Sequence, residues 1–164
     1  MISKRRRSFE KGHKRKYLVV IDDTEECDRA VYWAVRRAGR TKSAIVMLRV
    51  IEPGDRNQQW LGVADLMMAE QMDAAKAALN KYAKRASAIA EVKVERVIRE
   101  GATSEQILGL IDEDADIGIL VLGAANAEDP GPLVSTVAKS AGTFPIPLAI
   151  VPGHMSDEDI DASS

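Results

Sequence analysis

"YLVVIDDTEECDRAVYWAVRRAGRTKSAIVMLRVI", residues 17–51, decides the fold. It opens on a short apolar run rich in β-formers, YLVVI. Ala30, Val31, Ala34, Val35 and Ala38 then recur at helical spacing, with Gly39 as a natural stop. Asp23 or Thr24 can cap that helix, and Glu25 and Glu26 suit its first turn. A second apolar run, SAIVMLRVI, follows. Two strands without polar alternation, joined by an amphipathic helix, predict a parallel pair covered on both faces.

The same alternation continues outward. Pro53 and Gly54 open a loop passing through Trp60. A long helix is expected over roughly Val63 to Ile89, where Met68, Met72, Ala75, Leu79, Tyr82 and Ala86 make one core-facing stripe. VKVERVI is a third strand with a more polar pattern. TSEQILGLIDED is a helix with Thr103 and Gln106 at capping-box spacing. IGILVLG is a fourth strand, a short helix surrounds Val134, Val137, Ala138 and Ala141, and FPIPLAIVP is a fifth strand. The expected fold is α/β: a five-stranded, doubly wound parallel sheet of order 3-2-1-4-5, helices on both faces, Rossmann-like.

In that order strand five is an edge, yet Leu148, Ala149, Ile150 and Val151 are apolar. Exposed apolar edges invite pairing. A homodimer through these four residues is therefore expected.

The 164 residues suffice for one domain. Residues 1–16 carry eight Lys/Arg against one Glu, a formal +7, leaving −9 on the rest of a chain of net −2. This divides the chain into a basic flexible arm (1–16), an α/β domain (17–152) and an acidic tail (153–164). No apolar run is long enough to span a bilayer, and no apolar region follows the basic N-terminus as in a secretory signal. Cys27, the single cysteine, suits a reducing cytoplasm.

In a doubly wound sheet ligands sit beyond the strand carboxyl ends where the order reverses, here between strands one and four. The loops at Asp22-Asp23-Thr24 and from Gly123 border that point, with helix N-termini behind them, which nominates an anionic ligand. The loop after strand two, Val50 to Pro53, supplies a wall.

YLVVIDDTEECDRAVYWAVRRA resembles the opening of a universal stress protein domain, with Asp22 on the family's Asp and Thr24 on its Ser. MLRVIEP is similar to the second strand, with Val50 on the residue that packs near adenine. VIREGATSEQILGLIDEDADIGILVLGA matches the segment with Gly101 and the Asp before strand four, Asp116, and FPIPLAIVP resembles the closing strand. The resemblance covers about residues 17–152. It implies a cytoplasmic stress-response module.

ATP-binding members carry Gly-x2-Gly-x9-Gly-Ser/Thr after strand four. Here Gly123 matches the first glycine and Asn126 stands at the second. Counting forward puts Thr136 at the third; counting back from Pro145 puts Val134-Ser135 on the final Gly-Ser. Two of the three glycines are replaced, which implies degenerate, weak or lost adenine-nucleotide binding. The alternative is an ATP- or AMP-binding, slowly ATP-hydrolysing member using magnesium, with Asp22, Thr24, Val50, Gly123, Asn126, Ser135 and Thr136 around the nucleotide and no side-chain base. A third reading has the KRRR arm contacting nucleic acid; the bland counterpart is an arm folded over its own acidic body. The helix after the loop begins at Pro132, which suits a first helical position, or at Ser135, which leaves amides open to an anion. Cys27 reads as an activated thiol or a packed small residue. Asp112, Glu113, Asp114 and Asp116 resemble a metal string without the turn glycine of a calcium loop, so a solvated helix end is the simpler reading.

Overall fold

The computed structural model describes residues 5–53 and 61–164. The loop expected through Trp60 lies, from Gly54 on, outside the described residues. Five strands form one sheet in the order β3-β2-β1-β4-β5: β1 Lys16–Val20, β2 Ala44–Ile51, β3 Val94–Glu100, β4 Ile117–Ala124 and β5 Leu148–Pro152. All the pairings are parallel. The connecting helices are α1 Cys27–Thr41, α2 Leu61–Ile89, α3 Thr103–Glu113 and α4 Pro132–Lys139, with a 3-10 turn Ala141–Thr143 before β5 and a terminal helix α5 Asp157–Ser163.

The period-two geometry of the strands divides the core into two layers. Tyr17, Val19 and Ile21, with Ile45 and Met47, face α1, α2 and α5. Leu18 and Val20, with Val46 and Leu48, face α3 and α4. Of the predicted α2 stripe, Ala75, Leu79, Tyr82 and Ala86 are buried, whereas Met68 and Met72 near its start are half-buried.

Several local expectations change. Gly39 does not stop α1; the helix ends with Lys42 in the left-handed conformation (φ 55°). Gly39 serves packing instead, because a Cβ there would lie 2.9 Å from the Cβ of Ala90. Neither Asp23 nor Thr24 caps α1, whose N-cap is Glu26 without a side-chain bond. Thr103 makes no capping box: it is the first residue of α3, and its hydroxyl donates to Glu52 Oε1 at 2.7 Å. The fifth strand is shorter than FPIPLAIVP, starting only at Leu148. Proline has no N–H to pair, although the Pro147 carbonyl still accepts from the Leu120 amide at 3.1 Å.

Residues 5–15, read as a flexible arm, lie against the amino end of β4. The Arg6 guanidinium donates to the carbonyls of Ile111 and Asp114 at the end of α3, at 2.8 and 3.1 Å. Arg7 Nε and His13 Nδ1 both reach Asp116 at 3.1 Å. Lys16 bridges Asp114 and Glu95 at 2.8 Å each. Burial would raise the Asp116 carboxyl, but the bonds from His13 and Arg7 outweigh it and hold it below the usual carboxylate range. A depressed folded value means stabilisation that is complete above the unfolded value, about 3.9, and lost as pH falls through the folded one. Asp116→Asn is therefore expected to lose about 1–2 kcal/mol at neutral pH and to expose the arm to trypsin. Unchanged cleavage and unchanged urea midpoints would dispose of the clasp.

Residues 153–164, expected as an acidic tail, carry α5, which Ser156 and Asp159 open with a capping box.

Candidate functional site

The carboxyl ends of β1 and β2, the first half of α2 and the starts of α3 and α4 enclose an open cleft of about 780 Å³. This is the crevice side of a doubly wound sheet. Its walls are apolar where the strands end, at Val20, Ile21, Val50 and Ile51, and on α4 at Leu133. Of the residues singled out in the sequence, Asp22, Val50 and Thr136 line the cleft. Thr24, Gly123, Asn126 and Ser135 are not among the lining residues.

Each carboxylate in the cleft already has a partner. Asp22 accepts from the Thr24 amide at 3.0 Å and from the Thr24 hydroxyl, an arrangement that orders the strand-one loop. Asp23 grips Arg49 with both oxygens, at 3.1 and 3.0 Å. The register explains the meeting. Val20 pairs with Leu48 and Ile21 donates to the Leu48 carbonyl, so β1 ends beside Arg49 and the loop that follows brings Asp23 to it. The Arg49 bond is the main reason the Asp23 carboxyl lies below its ordinary value. Glu52 accepts from the Thr103 amide at 3.3 Å as well as from its hydroxyl, so it fills the anion position at the start of α3. Arg49 and Glu52 were not singled out in the sequence. Arg49 was the one visible signal, a cation inside an otherwise apolar strand.

The loop after β4 is bonded to itself. Ala125 donates its amide to the Pro130 carbonyl at 3.0 Å, Ala127 to Ala125 at 2.8 Å, and Gly131 to the Asp129 carboxylate at 2.9 Å. Helix α4 starts at Pro132, a residue with no N–H, and Ser135 donates its amide to Gly131 at 3.0 Å. Thr136 turns its hydroxyl back to the Pro132 carbonyl at 2.8 Å. A phosphate cradle needs unengaged amides converging on one point; these four amides are engaged elsewhere. Gly123 has a packing role: a Cβ there would lie 2.3 Å from the Glu26 carbonyl oxygen.

Cys27 is buried and directs its thiol at the Val20 carbonyl, 3.7 Å away. Burial pushes the thiol up to about 11, so it stays protonated at neutral pH and fills space instead of attacking. Glu113 pairs with Arg99 at 2.6 Å, while Asp114 and Asp116 pair with Lys16 and the arm. Among the described residues no group of three or more His, Cys, Asp or Glu is placed to hold a metal ion.

The universal stress protein family model matches residues 14–152, most of the chain. The chain belongs to the universal stress protein family. Solved universal stress proteins share its fold. The UspA protein from Lactobacillus plantarum is 20% identical with a TM-score of 0.66, over 84% of this chain and 97% of that one. A universal stress protein in complex with cAMP is 18% identical with a TM-score of 0.61, over 85% and 98%. The Archaeoglobus fulgidus protein in complex with dAMP is 14% identical with a TM-score of 0.58, over 85% and 98%. No curated protein matches the chain. Among the described residues of this universal stress protein, no helix is long and apolar enough to cross a membrane.

Proposed function

We propose that this universal stress protein is a cytoplasmic, dimeric regulatory module of the stress response in which adenine-nucleotide binding is weak or lost. The observation that carries this reading is the self-bonded loop after β4, whose amides at Ala125, Ala127, Gly131 and Ser135 have donated within the loop and the start of α4. The helix starts beside the cleft add support, since Pro132 has no N–H to offer and the Thr103 amide already donates to Glu52. Titration of the full chain with ATP and magnesium is the test, together with mass spectrometry of the native protein for a carried nucleotide. Micromolar ATP affinity would reject the proposal and favour an ATP-binding member. What supports that second reading is the position of the cleft and the cAMP and dAMP complexes of two similar structures.

The dimer rests on the β5 edge. Ile150 is 43% exposed there, beside the half-buried Leu148 and Ala149, while Val151 is turned into the core. Ile150→Lys places a charge on the edge and is expected to halve the sedimenting mass at micromolar concentration. A wild-type chain that already sediments as a monomer would reject the pairing. The nucleic-acid reading of the arm has less support, since Arg6, Arg7 and Lys16 bond to the body.

A further inference from the structure

The cleft is roomy and apolar where its strands end, and its charge has the wrong sign for a nucleotide. Among the described lining residues, Asp22, Asp23 and Glu52 stand against one cation, Arg49, a formal −2. The side chain of Arg49 is 15% exposed and Asp23 holds it bidentately, so the cation that would meet a phosphate is already neutralised by a residue of the same chain. Glu52 does the same at the start of α3. Carboxylates repel phosphates, yet they accept readily from hydroxyl groups. From this juxtaposition we infer that the cleft selects an uncharged nucleoside-class ligand, a flat ring on a hydroxylated sugar, over any phosphorylated form, and that Asp23 sets this choice by occupying Arg49.

The inference rests on the reading of this cleft as a site whose phosphate binding has been lost, and it names what remains. Ile51, Val50 and Leu133 supply apolar surface for a ring. Asp22, half-buried at the end of β1, offers a carboxylate with one oxygen engaged by Thr24. Asp23 is 83% exposed on its side chain, so its effect is moderate and screened by salt. One unit charge at roughly 6 Å, across a cleft of effective dielectric about 40, changes a binding constant by about tenfold.

Calorimetric titration of the full chain with adenosine, AMP and ATP at low salt tests the inference. The wild type is expected to bind adenosine at least about tenfold more tightly than ATP, with the gap narrowing as salt is added. Asp23→Asn is expected to free Arg49 and strengthen ATP binding about tenfold while leaving adenosine unchanged. In the Asp23→Asn, Arg49→Gln double variant that gain should disappear, which separates release of the cation from simple loss of negative charge. Circular dichroism establishes that each variant is folded. ATP bound as tightly as adenosine by the wild type overturns the inference, and at micromolar affinity it overturns the proposed function too. A ligand preference that Asp23→Asn leaves untouched overturns the role of Asp23. Binding of neither adenosine nor ATP at millimolar concentration overturns the inference while the regulatory module stands.

Discussion

Gly123→Ala is expected to destabilise the fold by about 3 kcal/mol, the upper end of the range for overpacked sites. The added Cβ would sit 2.3 Å from the Glu26 carbonyl oxygen and 2.9 Å from its carbon. Both partners are backbone, so no rotamer change relieves the contact. Neither side yields easily. Gly123 pairs with Val151 at the end of β4, and the Glu26 carbonyl accepts from the amides of Arg29 and Ala30 at 3.1 and 3.3 Å in the first turn of α1. Relief requires pulling α1 off the sheet, and Cys27, Ala30 and Val31 of that helix are core residues. Gly109→Ala is the control: nothing lies within 4 Å of a Cβ there, in the interior of α3, so helix propensity alone should gain up to about 1 kcal/mol. Urea unfolding of both variants decides the matter. A loss below about 1 kcal/mol at Gly123 would mean that the close approach is not a constraint.

This expected result also changes what the glycine signifies. In the sequence Gly123 matches the first glycine of a phosphate loop. In the structure it lies where the start of α1 presses on the end of β4, and that contact alone calls for the absence of a side chain.

The contrast between fold and site follows from the range of the forces involved. The strand order and helix alternation were legible because YLVVI and IGILVLG carry no polar side chain in their apolar runs beyond Tyr17, SAIVMLRVI is interrupted only by Ser43 at its start and Arg49, and each intervening helix repeats its apolar residues at a short period. Helix ends were less legible. Gly39 reads as a stop by propensity, yet tertiary contact with Ala90 keeps it inside α1. The cleft was legible in its place but not in its charge. Asp23 and Arg49 are 26 residues apart, and Glu52 and Thr103 are 51 apart. Only the parallel register of β1 on β2, and of β2 on β3, brings such pairs together. The same limit hid the end of the chain. SDEDIDASS reads as a solvated acidic run, because its one buried apolar residue of size, Ile160, stands alone with no second one to mark a period.

That residue is predicted to matter to the whole fold. Ile160→Ala is expected to cost about 3 kcal/mol, in the usual range for truncating a fully buried isoleucine. Its side chain is 0% exposed and belongs to the core layer shared by α1, α2 and one face of the sheet. Around it, α1 holds α5 with arginines. Arg29 donates to the Met155 carbonyl at 3.0 Å and pairs with Asp157 at 2.9 Å. Arg36 Nε and the Tyr32 hydroxyl both reach Asp161, at 2.9 and 3.0 Å. The Tyr32 ring also lies beneath the guanidiniums of Arg29, Arg36 and Arg85, at 5.2 to 5.5 Å. These ion pairs are partly exposed and each contributes little, so Asp161→Asn should lose no more than about 1 kcal/mol. The apolar anchor dominates, and the arginines fix where the helix docks. If α5 were an appendage, Ile160→Ala would free residues 153–164 to proteolysis and leave the urea midpoint of the rest unchanged. A fall in that midpoint, in a single transition seen alike by circular dichroism and tryptophan fluorescence, would instead make α5 part of the cooperative unit, although it lies beyond the 14–152 span that the family model matches.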